Sequence, residues 1–187
     1  MPKYLSPSHP FFAELDNSPK YVAEVKKNGW RGLIFRENRV YLMTRHNTFI
    51  KEPMEELKDY ILQTVPKDTI LDGELIHYRT KADKKRYYLF DIIMLKGKLL
   101  NKLPLSERRK ILEGIITDPP DFMELSQWVR IGKKNLYYQS INNDLNEGIV
   151  LKKLDSIYPI SDRKSIDNPF WIKVKKVENH VITPLTK

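Results

Sequence analysis

The sequence predicts an α+β fold in which antiparallel sheets are flanked by helices. Three observations carry this expectation. Short runs of branched and aromatic residues recur along the 187-residue chain, set apart by turn signals. Apolar residues at helical spacing occupy only a few stretches. Neighbouring extended runs joined by tight turns favour hairpins over a doubly wound parallel sheet. Tyr21-Val22-Ala23-Glu24-Val25 opens the strand series, Asn28-Gly29 is a tight-turn dipeptide, and residues 32–35 and 40–43 resume extended structure. Residues 53–65 read as a helix: Pro53 suits the first turn, Met54, Leu57, Ile61 and Val65 share a face, and Pro66 closes the pattern. Residues 69–78 and 86–95 are expected to pair as strands around a loop at 81–85. Residues 106–116 form a second predicted helix, with Ser106 as its cap and Ile111, Leu112 and Ile115 as its buried stripe. Residues 135–143 form a third, and 148–154 and 170–177 complete the strands.

Composition narrows the classes. Hydrophobic residues make up 41% and charged residues 30%, with 7 Gly and 12 Pro, which excludes collagen-like, low-complexity and wholly disordered chains. Ile92-Ile93-Met94-Leu95 is among the longest apolar runs and is far too short to cross a bilayer, so no membrane partner is expected. Met1-Pro2-Lys3-Tyr4 leads into no apolar stretch, which argues against a secretion signal. The setting expected is intracellular: cytoplasm, nucleoid or a viral factory. With 0 Cys there is no disulfide framework, thiolate metal site or thiol nucleophile. The 33 Lys and Arg exceed the 24 Asp and Glu by 9, a field that favours polyanionic partners; a lysine-rich solvated surface gives the same total. With no internal repeat or Gly/Ser linker, residues 1–177 read as one domain and 178–187 as a tail or hinge.

Five short segments carry chemistry-bearing residues, and each taken alone also fits plain structure. Glu24-Val25-Lys26-Lys27-Asn28-Gly29-Trp30-Arg31-Gly32 surrounds the turn, where Lys and Arg are common because turns are wet. Leu71-Asp72-Gly73-Glu74-Leu75 sets two carboxylates two apart, on one strand face or at a solvated edge. Tyr88-Leu89-Phe90-Asp91-Ile92 places an acid beside an aromatic in an apolar strand. Glu147-Gly148-Ile149-Val150-Leu151-Lys152 opens a strand with an acid and a glycine. Trp171-Ile172-Lys173-Val174-Lys175 alternates, so Trp171, Lys173 and Lys175 share a face.

Taken together and in this order, the segments resemble the signature of the covalent nucleotidyltransferases: ATP-dependent DNA ligases, RNA ligases and mRNA capping guanylyltransferases. Lys26, Asn28, Gly29 and Arg31 match the nucleophile motif Lys-x-(Asp or Asn)-Gly-x-Arg. Thr44-Arg45 resembles the next, a Ser/Thr-Arg pair; Asp72-Gly73-Glu74, Phe90-Asp91, Glu147-Gly148 and Lys173-x-Lys175 follow. The resemblance runs from about Tyr21 to Lys176. Glu24, Gly32, the stretch from Phe90 to Gly97 and Pro104-Leu105-Ser106-Glu107-Arg108 are similar to the ATP-dependent DNA ligase branch, and so to its adenylation domain and fold. Most members carry Asp where this chain has Asn28, an amide that keeps the turn without the charge.

The resemblance implies a reaction and a set of roles. Lys26 would attack the α-phosphate of ATP, giving a lysyl-AMP; AMP would pass to a 5′-phosphate at a nick in duplex DNA, and a 3′-hydroxyl would displace it. Arg31, Lys173, Lys175 and Mg²⁺ (or Mn²⁺) would favour the uncharged amine and stabilise charge on the phosphoryl oxygens. Glu147 would hold the metal and Glu74 the ribose, with Arg31 also on the ribose. Phe90 and Val150 would sandwich the adenine, the main chain at Glu24 would read its edge, and Arg45 would take the 5′-phosphate. Residues 81–86, Lys133-Lys134 and Lys152-Lys153 would track the DNA backbone or simply form solvated faces. His9, His46, His77 and His180 show no metal-ligand spacing and receive no role. No OB-fold β-barrel is expected within this chain, so such a barrel would be supplied in trans or by a longer protein, and the domain itself is expected to be a monomer. An RNA ligase, a capping enzyme and a non-catalytic nucleic-acid-binding module of the same fold stay open at this point.

Overall fold

A computed structural model describes residues 3–44, 46, 48–50, 54–76, 85–160 and 168–176. One sheet is ordered β1 (Tyr4–Leu5), β10 (Trp171–Lys175), β9 (Asn146–Lys153), β2 (Tyr21–Lys27). The other is ordered β4 (Val40–Thr44), β3 (Trp30–Arg36), β5 (Thr69–Leu75), β6 (Tyr87–Leu95), β7 (Lys98–Leu99), and β8 (Met123–Leu125) also pairs with β6. Helices α1 (Pro10–Asn17) and α4 (Lys133–Ile141) pack on the first sheet, α2 (Glu55–Thr64) and α3 (Leu105–Ile115) on the second. This is the α+β arrangement the sequence predicts.

Each sheet has its own core. Ala23, Ile149, Leu151, Ile172 and Val174 meet Phe12, Leu15 and Tyr137 on one side. Ile34, Leu71, Leu75, Tyr87 and Leu89 meet Leu57, Ile61 and Leu112 on the other. Strand side chains alternate between faces, so residues between the core positions, among them Glu24, Lys26, Glu74, Val150 and Lys152, turn away from these cores and line a shared cleft.

The expected ladder of hairpins needs correcting. β3–β4, β5–β6 and β6–β7 are antiparallel neighbours, but the consecutive strands β2 and β3 lie in different sheets. Asn28-Gly29 is therefore a crossover, not a hairpin tip. Its glycine is required by proximity: a Cβ at Gly29 would strike the Leu75 carbonyl of β5. Two pairings, β1–β10 and β6–β8, are parallel. Ser106 does not cap α3. Pro104 occupies that position, and the first helical N–H groups of Leu105 and Ser106 donate instead to the carbonyls of Ser156 and Leu154. α4 starts at Lys133, two residues early, after left-handed Gly132 (φ 74°). Pro53, the 81–84 part of the predicted loop and residues 177–187 lie outside the described residues.

A β-bulge shapes the second sheet. Gly73 faces Leu89 while Asp72 faces Asp91, so Phe90 is the extra residue and strict alternation breaks there. Asp91 then sits opposite another buried acid and is neutralised from α3. Arg108 Nε and Nη2 donate to its two oxygens, each at 2.9 Å, with both side chains at most 1% exposed. Arg108 Nη1 also donates to the carbonyls of Leu103 and Ser156, which ties α3 to the segment after β9. Removing one partner of such a pair strands a buried charge. Arg108→Ala is expected to cost about 3–5 kcal/mol of stability, read as a lower urea midpoint. Lys110→Ala, on the exposed face of the same helix, should stay within about 0.5 kcal/mol of the parent.

Candidate active site

The cleft between the sheets measures about 1200 Å³. From the first sheet it receives Glu24, Lys26, Val150, Lys152, Trp171, Lys173 and Lys175; from the second, Arg31, Glu74 and Phe90, with Glu147 at the start of β9. Every site residue predicted from the sequence is thus brought to one place except Arg45, which lies outside the described residues.

Lys26 ends the regular part of β2, in register with Gly148 of β9. Gly148 in turn faces Lys175 of β10, at φ 133°, where a Cβ would collide with the Val174 carbonyl. This close approach seats Glu147 between two lysines. Lys26 Nζ donates to Glu147 Oε2 at 2.7 Å, and Lys175 Nζ lies 2.8 Å from the same oxygen. Partial burial opposes ionisation of Glu147, but the hydrogen bonds from Lys175 and Lys26 win and hold its carboxyl below the usual range.

Arg31 projects from β3 toward the bulged region. Its Nε donates to Asp72 Oδ1 at 2.9 Å and its Nη2 to Asp72 Oδ2 at 2.6 Å, a two-pronged grip on a fully buried carboxylate. Asp72 is therefore no solvated strand edge. Burial works against the charge on Arg31, yet Asp72 and Tyr158 raise its pKa overall. Glu74, in register with Arg31, has no such dedicated partner among the described residues. Burial is the main force lifting its carboxyl to about 7; Asp72 and Glu147 add to this, while Lys26 and Arg31 oppose it.

The other end of the cleft is built on a buried ion pair. Lys152 Nζ donates to Glu24 Oε2 at 2.8 Å, and Trp128 Nε1 donates to Glu24 Oε1 at 2.6 Å. The same ammonium lies 4.5 Å from the ring centre of Phe90 and 4.1 Å from that of Trp171. This corrects the expectation for Lys152, which is 2% exposed and faces the cleft, whereas its neighbour Lys153 pairs with exposed Asp155. Lys133 is corrected likewise: it is fully buried, with Nζ donating to the carbonyls of Asp16, Ser18 and Arg130. Neither can track a DNA backbone. The histidines divide: His9 caps α1 through Nδ1, His46 lines the cleft, and His77 and His180 lie outside the described residues.

Sequence reasoning missed Lys152, Tyr158 and His46 as cleft residues. Alternation from Val150 carried the signal for Lys152, two positions on. No periodic pattern marks Tyr158, which follows β9 in irregular chain.

Residues 77–175, just over half of the chain, match the family described as the ATP dependent DNA ligase domain. The chain belongs to that family. The matched ligase segment contains Phe90, Glu147, Lys173 and Lys175; Lys26 lies outside it and is brought in by the β2–β9 pairing. The chain is 29% identical to the SPbeta prophage-derived DNA ligase-like protein LigB of Bacillus subtilis, aligned over 84% of this chain and 62% of that protein. It is 28% identical to a DNA ligase of Sulfolobus acidocaldarius over 84% of this chain and 31% of the other. Among solved structures, the ligase domain of M. tuberculosis LigD superposes with a TM-score of 0.67 at 21% identity, covering 92% of this chain and 58% of that one. Mycobacterial DNA ligase D complexed with ATP and MES gives 0.66 at 20% identity, covering 85% and 55%. These two share the nucleotidyltransferase fold. The chain spans less than two thirds of each of these four proteins.

The raised carboxyl of Glu74 makes stability depend on pH. Folded chain holds this proton to about pH 7, whereas an ordinary carboxyl releases it near 4.5, so folding takes up a proton between those values. The contribution of Glu74 to stability is present at low pH and is lost as pH rises through that window. Glu74→Gln removes the titration. Denaturation midpoints measured from pH 5 to 8 should shift steadily in favour of the variant; parallel curves would contradict the assignment.

Proposed function

We propose that this domain forms a covalent lysyl-AMP at Lys26 from ATP and that the AMP serves to seal nicks in duplex DNA. The observation that carries this reading is a lysine amine seated in a cleft between two sheets, sharing one carboxylate with a second lysine. In the reaction the amine nitrogen bonds to the α-phosphorus as the bond to the pyrophosphate oxygen breaks, and pyrophosphate leaves with that electron pair. The amine must first pass a proton to water, which reaches its partly exposed side chain in the open cleft, and leave Glu147. Arriving phosphates offer Lys175 a new partner, which frees Glu147 from its shared role, and Lys173 a further anion to meet.

The donors here suit a divalent metal of the magnesium type. Among the described residues no group of three or more His, Asp or Glu is placed to hold a metal ion, but Glu147 is an ionised hard oxygen donor, and Mg²⁺ is commonly held by one or two carboxylates together with substrate phosphates. When bound, such an ion supplies positive charge to the phosphoryl oxygens. Phe90 and Val150 would enclose the adenine, with the Glu24 main chain at its edge, and Glu74 and Arg31 would hold the ribose. Arg45 would receive the 5′-phosphate. An OB-fold partner, in trans or in a longer chain, would complete the grip on DNA by a monomeric domain in an intracellular setting. Asn28 in place of the usual acid leaves the crossover uncharged beside the nucleophile.

Intact mass measured after incubation with ATP and Mg²⁺ tests the reading. A gain of one AMP is expected with ATP and not with GTP, and none is expected in Lys26→Ala. An adduct that persists in Lys26→Ala, or one formed from GTP alone, would sink it.

A further inference from the structure

Arg31 is anchored by more than its grip on Asp72. Its Nη2 also donates to the phenol oxygen of Tyr158 at 2.5 Å, and the Tyr158 hydroxyl donates to Asp72 Oδ2 at 2.7 Å. The three groups close a small ring of hydrogen bonds. Nη1 of Arg31 has no hydrogen-bond partner among the described residues, while the side chain, a quarter exposed, lines the cleft. One edge of the guanidinium is fixed in the protein and the other is available to a ligand.

Tyr158 is itself placed from outside the sheets. Its N–H donates to the Asn101 carbonyl at 2.8 Å, and Asn168 Nδ2 donates to the Ile157 carbonyl at 3.0 Å. Arg108 donates to the Ser156 carbonyl at 3.0 Å, and its guanidinium lies 5.7 Å from the Tyr158 ring centre. Trp171 meets that ring edge-on, with centres 6.0 Å apart at 83°. The phenol thus hangs on the same arginine that neutralises Asp91.

We propose that Tyr158 is a positioning residue for adenylation: its hydroxyl locks the inner edge of Arg31 so that the outer edge meets the nucleotide in one orientation. This rests on the reading that Arg31 contacts the nucleotide. The phenol suits the task because burial, reinforced by Asp72, raises its pKa well above the usual range, so it stays a donor at working pH. A bidentate arginine–carboxylate pair can still pivot as a unit. A third group bonded to both members removes that freedom.

Tyr158→Phe in the full chain keeps the ring packing and deletes the ring of hydrogen bonds. The concentration of ATP giving half-maximal adenylation should rise roughly ten-fold, with the maximal rate changed less than about two-fold, as expected for a lost ground-state contact. The shift should shrink to near unity when the same change is made in Arg31→Lys, because the two residues act as one unit. Hydrogen exchange of the Arg31 Nε–H, followed by ¹⁵N NMR, should be slow in the parent and faster in Tyr158→Phe. That reading depends on neither catalysis nor the folding of the double variant. Unchanged exchange together with an unchanged ATP response would overturn the proposal, as would an equal shift in both backgrounds. If Arg31→Lys alone leaves the ATP response intact, the nucleotide role of Arg31 fails instead, and exchange still reports whether the anchor exists.

Discussion

Two carboxylates face each other across adjacent strands, and the site depends on how they are neutralised. Asp72 of β5 and Asp91 of β6 are in register and at most 1% exposed. Like charges so placed repel, and neither can be left unpaired in a dry interior. The chain answers with two arginines from different directions, Arg31 from β3 and Arg108 from α3. Tyr158 hydrogen-bonds Arg31 and Asp72, and its ring lies beside the Arg108 guanidinium. Surface pairs such as Lys58–Glu55 or Lys153–Asp155 contribute about 0–1 kcal/mol, so they set nothing comparable. The buried set fixes α3, the bulge and the segment after β9 relative to one another, and Arg31 inherits that fixed frame.

The bulge makes this arrangement possible. Under strict alternation Phe90 and Asp91 would point to opposite faces of the sheet. The extra residue lets Phe90 line the cleft while Asp91 comes opposite Asp72. Close backbone passages serve the same end in the first sheet, where the missing side chain of Gly148 lets β9 open tightly against β10 and seat Glu147 between Lys26 and Lys175.

Much of this was legible in the sequence, for physical reasons that differ by element. α2 and the β5–β6 pair announced themselves because their apolar periods match the faces they bury. Lys173 and Lys175 were legible as one face by simple alternation. The division into two sheets was not, because a turn dipeptide states that the chain reverses and not which strand it will pair with; β2 finds its partner in distant β9. β1 and β8 were missed because two or three residues carry no period. Lys133 and Lys152 misled because a lysine is charged in any sequence window, and only tertiary structure reveals three carbonyls around one and a buried glutamate with aromatic rings around the other. Tyr158 belongs to no element, so its role exists only in three dimensions.

The charges of the cleft are graded along the strands, and the gradient bears on what fits. Near Lys152 and Trp171 the charges cancel: Glu24 answers Lys152, and aromatic faces surround the pair. Four positions along β9, about 13 Å at strand rise, Gly148 stands between Lys26 and Lys175 in register. There two ammonium groups share one carboxylate, which leaves an excess of positive charge. A ligand with a flat, uncharged end and a polyanionic end matches both environments in one orientation only. Reversed, it would set phosphates against a neutralised aromatic floor and leave the lysines at the far end unmatched. On the proposed function, the strand register therefore aims the phosphate end of such a molecule at Lys26 before any single contact to it is considered.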